Sequence, residues 1–274
     1  ITLGYIIYFM YKNLNNIIFN KQIVILFFLY LTLLISFIFS ENSTGGAIND
    51  YIRQKVIVNA FSDNFYKSFI NYEQFTSRHS PILISFLSLL ERLEINDLSI
   101  RLIHLHLCLL LPVFFFKCLK IKFGKIETNI FIVLISLIFI SPTFRSLSIW
   151  PDSRILGLTF FTIGIYYFLK FEEKKKLIYA INNVIYIAIS AYISPNFCLF
   201  SLFFLLKFHS YYKFFSNNFL LILISNLVLA IPAFYYVFIL DVNFFLKSAA
   251  AGINQNEKII FNNLFNDILI NFTF

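Results

Sequence analysis

Long apolar runs alternate with short polar stretches along most of this chain. Several of the runs are long enough to cross the roughly 30 Å hydrocarbon core of a bilayer as a helix. We therefore predict an all-α fold, a polytopic membrane helix bundle with about seven transmembrane helices. The predicted spans cover residues 22–40, 101–119, 128–144, 154–170, 177–194, 196–212 and 217–240.

The longest polar interruption, residues 41–100, lies between the first two predicted spans. Because connections between spans need only be short, we expect this insert to carry function. It contains one apolar run, PILISFLSLLERL, that is too short to span a bilayer. Ser80 is a typical N-cap and Pro81 a typical first-turn residue, so this run is predicted to form a helix along the outer membrane interface. The whole insert is expected to be a long helical outer loop.

The chain divides into three segments. Residues 1–21 are predicted to be an N-terminal segment that is either interfacial or the remnant of an earlier element. Residues 22–240 form the transmembrane module, and residues 241–274 form an outer loop or the start of a missing C-terminal part. Because there is no initiator Met and the chain stops at INFTF, we expect a fragment of a longer protein.

The composition argues against an ordinary soluble domain. Hydrophobic residues make up 59% of the 274 residues and charged residues only 13%. So few charges cannot cover the apolar surface of a water-soluble fold. The three cysteines fall in or beside apolar runs without CxxC spacing. We therefore expect buried thiols rather than a disulfide framework or a zinc site.

The two kinds of cation separate along the predicted topology. Lysines cluster after the second and fourth predicted spans, whereas all six arginines fall on the opposite side. The positive-inside rule puts the lysine side in the cytoplasm. We therefore predict a multi-pass protein of the inner (plasma) membrane whose long first loop faces the periplasm or the exterior.

Two carboxylates are predicted to meet at this outer face. Asp50 lies in GGAINDYIRQ, and Asp152 lies in SIWPDSRIL, with Trp150 at the interface and Pro151 in the first turn of the fourth span. One carboxylate could act as a general base toward an acceptor hydroxyl, or both could hold a divalent cation such as Mg or Mn. The alternative is that Asp152 only caps its helix and that Asp50 is a solvated loop residue.

Outer cations are candidates for binding a phosphate group. Arginine makes bidentate contacts with phosphate that lysine cannot make. Alternatively, the arginines form ion pairs with nearby acids, and the histidine is a polar residue at a helix entry. The candidates are Arg53, Arg78, His79, Arg145 and Arg154.

His104 and His106 lie two residues apart on the second predicted span. This spacing directs them to nearly opposite faces of a helix. They cannot bind one metal ion together in that geometry, and we expect both to pack near the outer end of the span.

The order of these features resembles the GT-C superfamily of polyprenyl-phosphate-sugar-dependent glycosyltransferases. The likeness is greatest to the branch of protein O-mannosyltransferases, aminoarabinose transferases and their bacterial relatives. Pro151-Asp152-Ser153 matches the family's Pro-Asp turn, and Tyr192 to Asn196 matches its aromatic-Pro-Asn element. His79-Ser80-Pro81 departs from the family's His-Pro-Pro element at the middle position. The resemblance covers about residues 22–240.

The resemblance implies a membrane enzyme that moves a sugar from a polyprenyl-phosphate donor to a hydroxyl of a lipid, glycan or protein acceptor. It maps the catalytic residue to Asp50 and a second outer acidic position to Asp152. The family often has an acidic residue directly after the first Asp, where this chain has Tyr51. A metal role for the two carboxylates is therefore left open. No nucleic-acid partner is expected, and no P-loop or dinucleotide motif is present.

Two other classes of protein stay open. A transporter or lipid flippase normally places ionisable groups near the bilayer midplane, whereas the polar residues here gather at the predicted outer surface. A non-catalytic membrane scaffold would tolerate substitution of both Asp50 and Asp152.

Overall fold

The computed structural model describes residues 21–43, 46–75, 77 and 80–239. This part of the chain is helical and contains no strand, as predicted for an all-α fold. The α-helices are α1 (Lys21–Ile38), α2 (Ala47–Asp63), α3 (Phe65–Ile70), α4 (Pro81–Arg92), α5 (Asp97–Cys108), α6 (Leu110–Lys122), α7 (Thr128–Ile140), α8 (Pro142–Ile149), α9 (Ser153–Lys174), α10 (Leu177–Ile193), α11 (Leu199–Tyr211) and α12 (Asn217–Phe234). Short 3₁₀ helices at Tyr72–Phe75 and Pro195–Phe197 and a π-helical turn at Tyr235–Ile239 complete the described elements.

Some predicted features lie outside the described residues. They are the N-terminal segment up to residue 20, the tail from residue 241, and both Arg78 and His79 in the first loop. What the sequence indicates for them stays a prediction.

Within the residues that the structure describes, three helical segments are long and apolar enough to cross a membrane. They are the 26-residue segment Asp97–Lys122, which comprises α5 and α6, and the single helices α9 and α12. A fourth candidate is α7 together with α8, which are bent by 63° at a short break. The helices Gln22–Ile38 and Leu177–Ile193 are apolar but shorter. These helices are consistent with a membrane protein, and the number of seven spans stays a prediction.

The third predicted span, 128–144, is wrong at its carboxyl end. α7 ends at Ile140, and Pro142 begins α8. Proline ends the first helix because it lacks a backbone N–H and its ring clashes with the preceding turn. Ser141 caps the new helix, since its hydroxyl accepts the backbone N–H of Phe144 at 3.4 Å. The apolar run therefore continues through a sharp bend that hydropathy does not reveal.

Two helix starts also differ from the prediction. α5 begins at Asp97, several residues before the predicted span, because the side chain of Asn96 caps it there. α9 begins at Ser153 with Asp152 as its N-cap. Pro151 therefore precedes the helix instead of occupying its first turn.

Contacts between helices define two ends of the bundle. The segment α5–α6 and α9 run side by side in the same direction. At one end Arg101 Nε donates to the carbonyl oxygen of Ile149 at 3.1 Å, and at the other Lys122 Nζ lies 4.0 Å from Glu172 Oε2. We call these the arginine end and the lysine end. Arg101 and Lys122 thus lie at opposite ends of the bundle. The full separation of lysines from arginines, and which end faces the cytoplasm, stay predictions.

Two glycines let α10 approach α9 closely. A Cβ on Gly157 would lie 2.7 Å from the Cβ of Ser194. Two buried polar side chains of α10 then reach the backbone of α9: Asn183 Nδ2 donates to the Gly164 carbonyl and Ser190 Oγ to the Gly157 carbonyl, each at 2.8 Å. Because an unmet polar group is costly in apolar surroundings, these bonds fix the register of the two helices.

Pro232 interrupts the hydrogen bonding of α12 near its carboxyl end, where the chain passes into the π-helical turn. The hydroxyl of Tyr192 on α10 inserts at this point. It donates to the carbonyl of Leu229 and accepts the N–H of Ala233 at 3.2 Å. These two backbone groups would bond to each other in a regular α-helix. Tyr192 therefore takes the place of a helical hydrogen bond and ties α10 to α12.

The first loop forms a helical layer, as predicted. Ser80 caps α4 and Pro81 begins it, which confirms the two expected roles. The buried face of α4 packs on α2 in an apolar cluster that includes Phe61 and Leu87. Arg92 binds the last carbonyls of α2, with Nε donating to Ser62 at 2.8 Å and Nη2 to Phe61 at 3.0 Å. The two long helices of this loop are thus joined through both apolar packing and a cationic cap.

The three cysteines are free thiols. Cys108 and Cys118 are buried, whereas Cys198 is partly exposed. The expectation of buried thiols holds for the first two.

Candidate functional site

Asp152 anchors the candidate site at the start of α9. Its side chain caps the helix by accepting the backbone N–H of Arg154 at 2.7 Å. The side chain of Arg154 folds back onto the same carboxylate, with Nε 3.1 Å from both oxygens and Nη2 2.7 Å from Oδ2. The Asp152 side chain is only 3% exposed, whereas that of Arg154 is 52% exposed. Asp152 is therefore a helix cap, as one alternative expected, and also half of a forked ion pair.

Asp50 binds the same guanidinium from a distant part of the chain. Its Oδ2 lies 3.1 Å from Nη2 of Arg154, and its side chain is 40% exposed. Asp50 lies in the first turn of α2, where the helix dipole favours a negative charge. Asp50 is therefore a helix residue and not a loop residue, although its side chain is partly solvated as that alternative expected. The two candidate carboxylates meet on one nitrogen atom, and we call Asp50, Asp152 and Arg154 the acidic triad.

The acidic triad carries one more negative than positive charge. Its guanidinium lies between the two carboxylates, where a bridging divalent cation would have to bind. Since like charges repel strongly at such distances, this arrangement does not fit a metal ion held by Asp50 and Asp152. The part of the chain that the structure describes has no group of three or more His, Cys, Asp or Glu side chains placed to hold a metal. Metal dependence stays a prediction.

The turn that leads into the triad is held by two residues of α5. His104 is buried, and its Nε2 lies 3.1 Å from the carbonyl oxygen of Leu147 and 3.4 Å from the backbone nitrogen of Asp152. The guanidinium of Arg101 lies 3.5 Å from the ring centre of Trp150. His106 points elsewhere, with Nε2 3.0 Å from the hydroxyl of Tyr30. The opposite orientations expected of the two histidines are confirmed.

A second ion pair braces the same end of the bundle. Arg145 on α8 binds Glu41 with two parallel hydrogen bonds of 2.8 Å, and both side chains are mostly buried. Its Nη1 also donates to the carbonyl of Ile140 at 2.5 Å, at the end of α7. These bonds to Arg145 lower the pKa of Glu41 to about 2. Trp150 Nε1 donates to the carbonyl of Glu41 at 3.0 Å, so the ion pair also supports the turn before Asp152.

Tyr51, next to Asp50, faces inward. Its ring packs against that of Trp150, with centres 5.7 Å apart, and its hydroxyl donates to Asp97 at 2.6 Å. Lys55 binds the same carboxylate oxygen at 2.5 Å. Burial, and then the bond to Asp97, raise the pKa of Tyr51. Tyr51 therefore acts as a neutral packing residue that orients the first turns of α2.

The phosphate-binding candidates have different surroundings. Arg53 is exposed on α2, one turn after Asp50, and forms no ion pair with any described residue. Arg154 is bound to two carboxylates, but its Nη1 has no hydrogen-bond partner among the described residues. Arg145 is committed to Glu41 and to the end of α7. Phosphate binding stays a prediction for each of them.

An open apolar groove of about 390 Å³ runs along the segment α5–α6. It begins one residue after Arg101, which lies at the arginine end. The groove is lined by Leu102, Ile103, His106, Leu107 and Leu110.

Sequence reasoning missed Glu41, Arg101 and His104 as parts of this site. For Glu41, the only signal is an acid directly after an apolar run. For Arg101 and His104, the spacing of three residues places two polar side chains on one face of a helix. That pattern could have been noticed, but it does not say which distant segment they contact.

Comparisons with known proteins give no relatives for this chain: no family model, curated protein or solved structure matches it.

Proposed function

We propose that this chain is a membrane glycosyltransferase that moves a sugar from a polyprenyl-phosphate donor to an acceptor hydroxyl at the extracytoplasmic face. The observation that carries the proposal is the acidic triad at the amino end of α9. Asp50 and Asp152, far apart in sequence, share Arg154 at the end of the bundle opposite the lysines. A partly exposed carboxylate beside a partly exposed guanidinium suits transfer between a hydroxyl and a phosphate leaving group.

Asp50 is the proposed general base. Its Oδ2 is held by Arg154, whereas its Oδ1 has no hydrogen-bond partner among the described residues. That oxygen is free to accept the proton of a bound acceptor. Asp152 is too buried to meet an acceptor itself. Its role is to hold Arg154, and through Arg154 to orient Asp50.

The proposed reaction is a single displacement with inversion. The acceptor hydroxyl gives its proton to Oδ1 of Asp50 while its oxygen bonds to the anomeric carbon. The bond from that carbon to the phosphate oxygen breaks, and its electron pair stays on the polyprenyl phosphate that leaves. The proton on Asp50 passes to water before the next turnover.

Two cations are available to the leaving phosphate. Arg53 is exposed and unpaired within the described chain, and Arg154 offers its free Nη1. Arg145 is not assigned to phosphate, since Glu41 and the end of α7 occupy its donors.

The isoprenoid tail of the donor is assigned to the apolar groove on α5–α6. The groove and Arg101 lie on consecutive turns of the same helix, so a tail in the groove would bring its phosphate toward the arginine end. The proposal includes a multi-pass protein of the plasma membrane with its active site on the outer side, because the positive-inside rule assigns the lysine end to the cytoplasm.

The test compares two neutralised acids of one helix. The full chain is reconstituted in liposomes with a polyprenyl-phosphate-linked radiolabelled sugar and membrane acceptors, and release of polyprenyl phosphate is measured. Asp50→Asn should lower turnover by about 10²- to 10⁴-fold, the usual contribution of a general base. Asp63→Asn, at the exposed far end of α2, should leave turnover unchanged.

Full activity of Asp50→Asn would remove the proposed mechanism. Movement of the labelled donor across the bilayer without turnover would instead identify a transporter or flippase. If the unchanged chain shows neither turnover nor movement of the donor with any acceptor, the result favours a scaffold.

A further inference from the structure

Two residues of α5 contact the connection between α8 and α9 from one side. Arg101 and His104 are three residues apart, so they share a face of the helix about one turn apart. Residues 147–149 form the last turn of α8, and residues 150–152 join it to α9. We call residues 147–152 together the connection, and it ends at Asp152. We call Arg101 and His104 the α5 clamp.

Each member of the clamp contacts two positions of the connection. Arg101 Nε donates to the carbonyl of Ile149 at 3.1 Å, and its guanidinium lies 3.5 Å from the ring centre of Trp150. His104 Nε2 lies 3.1 Å from the Leu147 carbonyl oxygen and 3.4 Å from both the Asp152 backbone nitrogen and Cys108 Sγ. As an N–H it donates to Leu147, and as a bare nitrogen it accepts the Asp152 N–H. The contacts therefore follow the connection from its start to Asp152.

The clamp buries strongly polar groups inside the helix bundle. His104 is only 1% exposed, and Nη2 of Arg101 is buried without a hydrogen-bond partner among the described residues. Burial of such groups costs free energy that an apolar residue would avoid. Polar residues at these positions need a reason beyond filling space, and directional contacts with one backbone segment supply it.

We propose that Arg101 and His104 are positioning residues that hold the 147–152 connection so that Asp152 and Arg154 can meet Asp50. A small rotation of this connection would turn Arg154, which contributes the bond to Asp50, away from α2. The inference rests on the proposed function for its catalytic meaning, because Asp50 is the base there. The geometric coupling itself needs no substrate.

The test is a double-mutant cycle on the Asp50–Arg154 pair in the full chain in detergent. Unfolding is measured for the unchanged chain, Asp50→Asn, Arg154→Met and the double variant. For a partly exposed ion pair, the cycle should give a coupling factor of about two to five in the unfolding equilibrium constant.

The cycle is then repeated with the clamp altered. With His104→Leu or Arg101→Met, the coupling factor should fall to about one. With His104→Gln it should persist, because the glutamine amide can both donate to the Leu147 carbonyl and accept the Asp152 N–H. A buried polar residue of α10 that binds the α9 backbone gives the matched control. Asn183→Leu removes a buried bond to Gly164, so it should lower stability but keep the coupling.

Unchanged coupling in both His104→Leu and Arg101→Met would overturn the proposal, as would an equal loss in Asn183→Leu. If His104→Leu gives no folded protein, Arg101→Met against Asn183→Leu decides in the same way. No donor or acceptor enters the unfolding measurement, so the two proposals can fail separately. If the clamp variants lose the coupling but the unchanged chain has no transferase activity, the proposed function is refuted and the positioning role stands. If the chain has transferase activity but the clamp variants keep the coupling, the positioning role is refuted and the proposed function stands.

Discussion

Removing Arg154 should destabilise the protein mainly through the charge it leaves behind. The Asp152 carboxylate is 3% exposed and lies within 3.1 Å of Nε and Nη2 of Arg154. Arg154→Met removes these contacts but leaves the carboxylate buried. Breaking a buried pair from one side usually costs about 3–5 kcal/mol. Because half of the Arg154 side chain is exposed and water can enter, we expect about 2–3 kcal/mol here.

A second substitution separates the lost attraction from the stranded charge. Asp152→Asn keeps an N-cap residue, since asparagine caps about as well as aspartate, but it carries no charge. In the Arg154→Met background, Asp152→Asn should therefore restore about 1–2 kcal/mol. Asp152→Ala in the same background also loses the cap and should be about 1 kcal/mol less stable than Asp152→Asn.

The assay is unfolding of the full chain in mixed detergent micelles, followed by circular dichroism. Asp50→Asn is the control for an exposed partner, and it should cost less than about 1 kcal/mol because Asp50 is 40% exposed. The reasoning fails if the double variant Arg154→Met/Asp152→Asn is no more stable than Arg154→Met alone. That result would mean that the buried carboxylate of Asp152 is satisfied without Arg154.

Two further predictions concern the packing around the site. The pKa of Glu41 is about 2, below its ordinary value of 4.5, because Arg145 binds both of its oxygens. The stabilisation from this pair is therefore complete above about pH 4.5 and is lost as the pH falls toward 2. In acid titrations of unfolding, Glu41→Gln should remove about 2–3 kcal/mol of the pH-dependent change in the free energy of unfolding. Gly157→Ala should lower the unfolding midpoint more than Gly164→Ala, because the added Cβ meets the Cβ of Ser194 at 2.7 Å in the first case but the rotatable end of a side chain in the second; equal midpoints would contradict this reading of the α9–α10 interface.

Local chemistry made several elements predictable. Ser80 and Pro81 begin α4 as expected, since a cap hydroxyl and a proline suit only the first turn of a helix. The helical class follows from hydropathy alone. The bend at Ser141 could not be predicted in this way, because hydropathy measures how apolar a segment is and not the direction in which it runs. A loop position for Asp50 was one alternative from the sequence, whereas Gly46 is the N-cap of α2 and Asp50 lies in the first turn of that helix.

The sequence could not predict which acidic residue pairs with which arginine across the chain. Asp50 and Arg154 are separated by 104 positions, as are Glu41 and Arg145. Many acids and arginines share the arginine end, and composition does not say which of them meet. Only the packing of α2 and α8 against the start of α9 decides it. His104 was expected to pack, which is correct, but its partner depends on that same packing.

The arginine bias of this end now has a largely structural explanation. Arg92 binds the last carbonyls of α2, Arg145 binds those of α7, and Arg101 binds the Ile149 carbonyl. A planar fork can satisfy several such groups at once, whereas an ammonium group cannot do so in a fixed geometry. Most of these arginines therefore serve the fold. The candidates for binding phosphate are then the exposed Arg53 and the one free donor nitrogen of Arg154. Arg53→Gln should weaken donor binding and leave the free energy of unfolding unchanged. Arg145→Gln should lower the free energy of unfolding and leave donor binding unchanged.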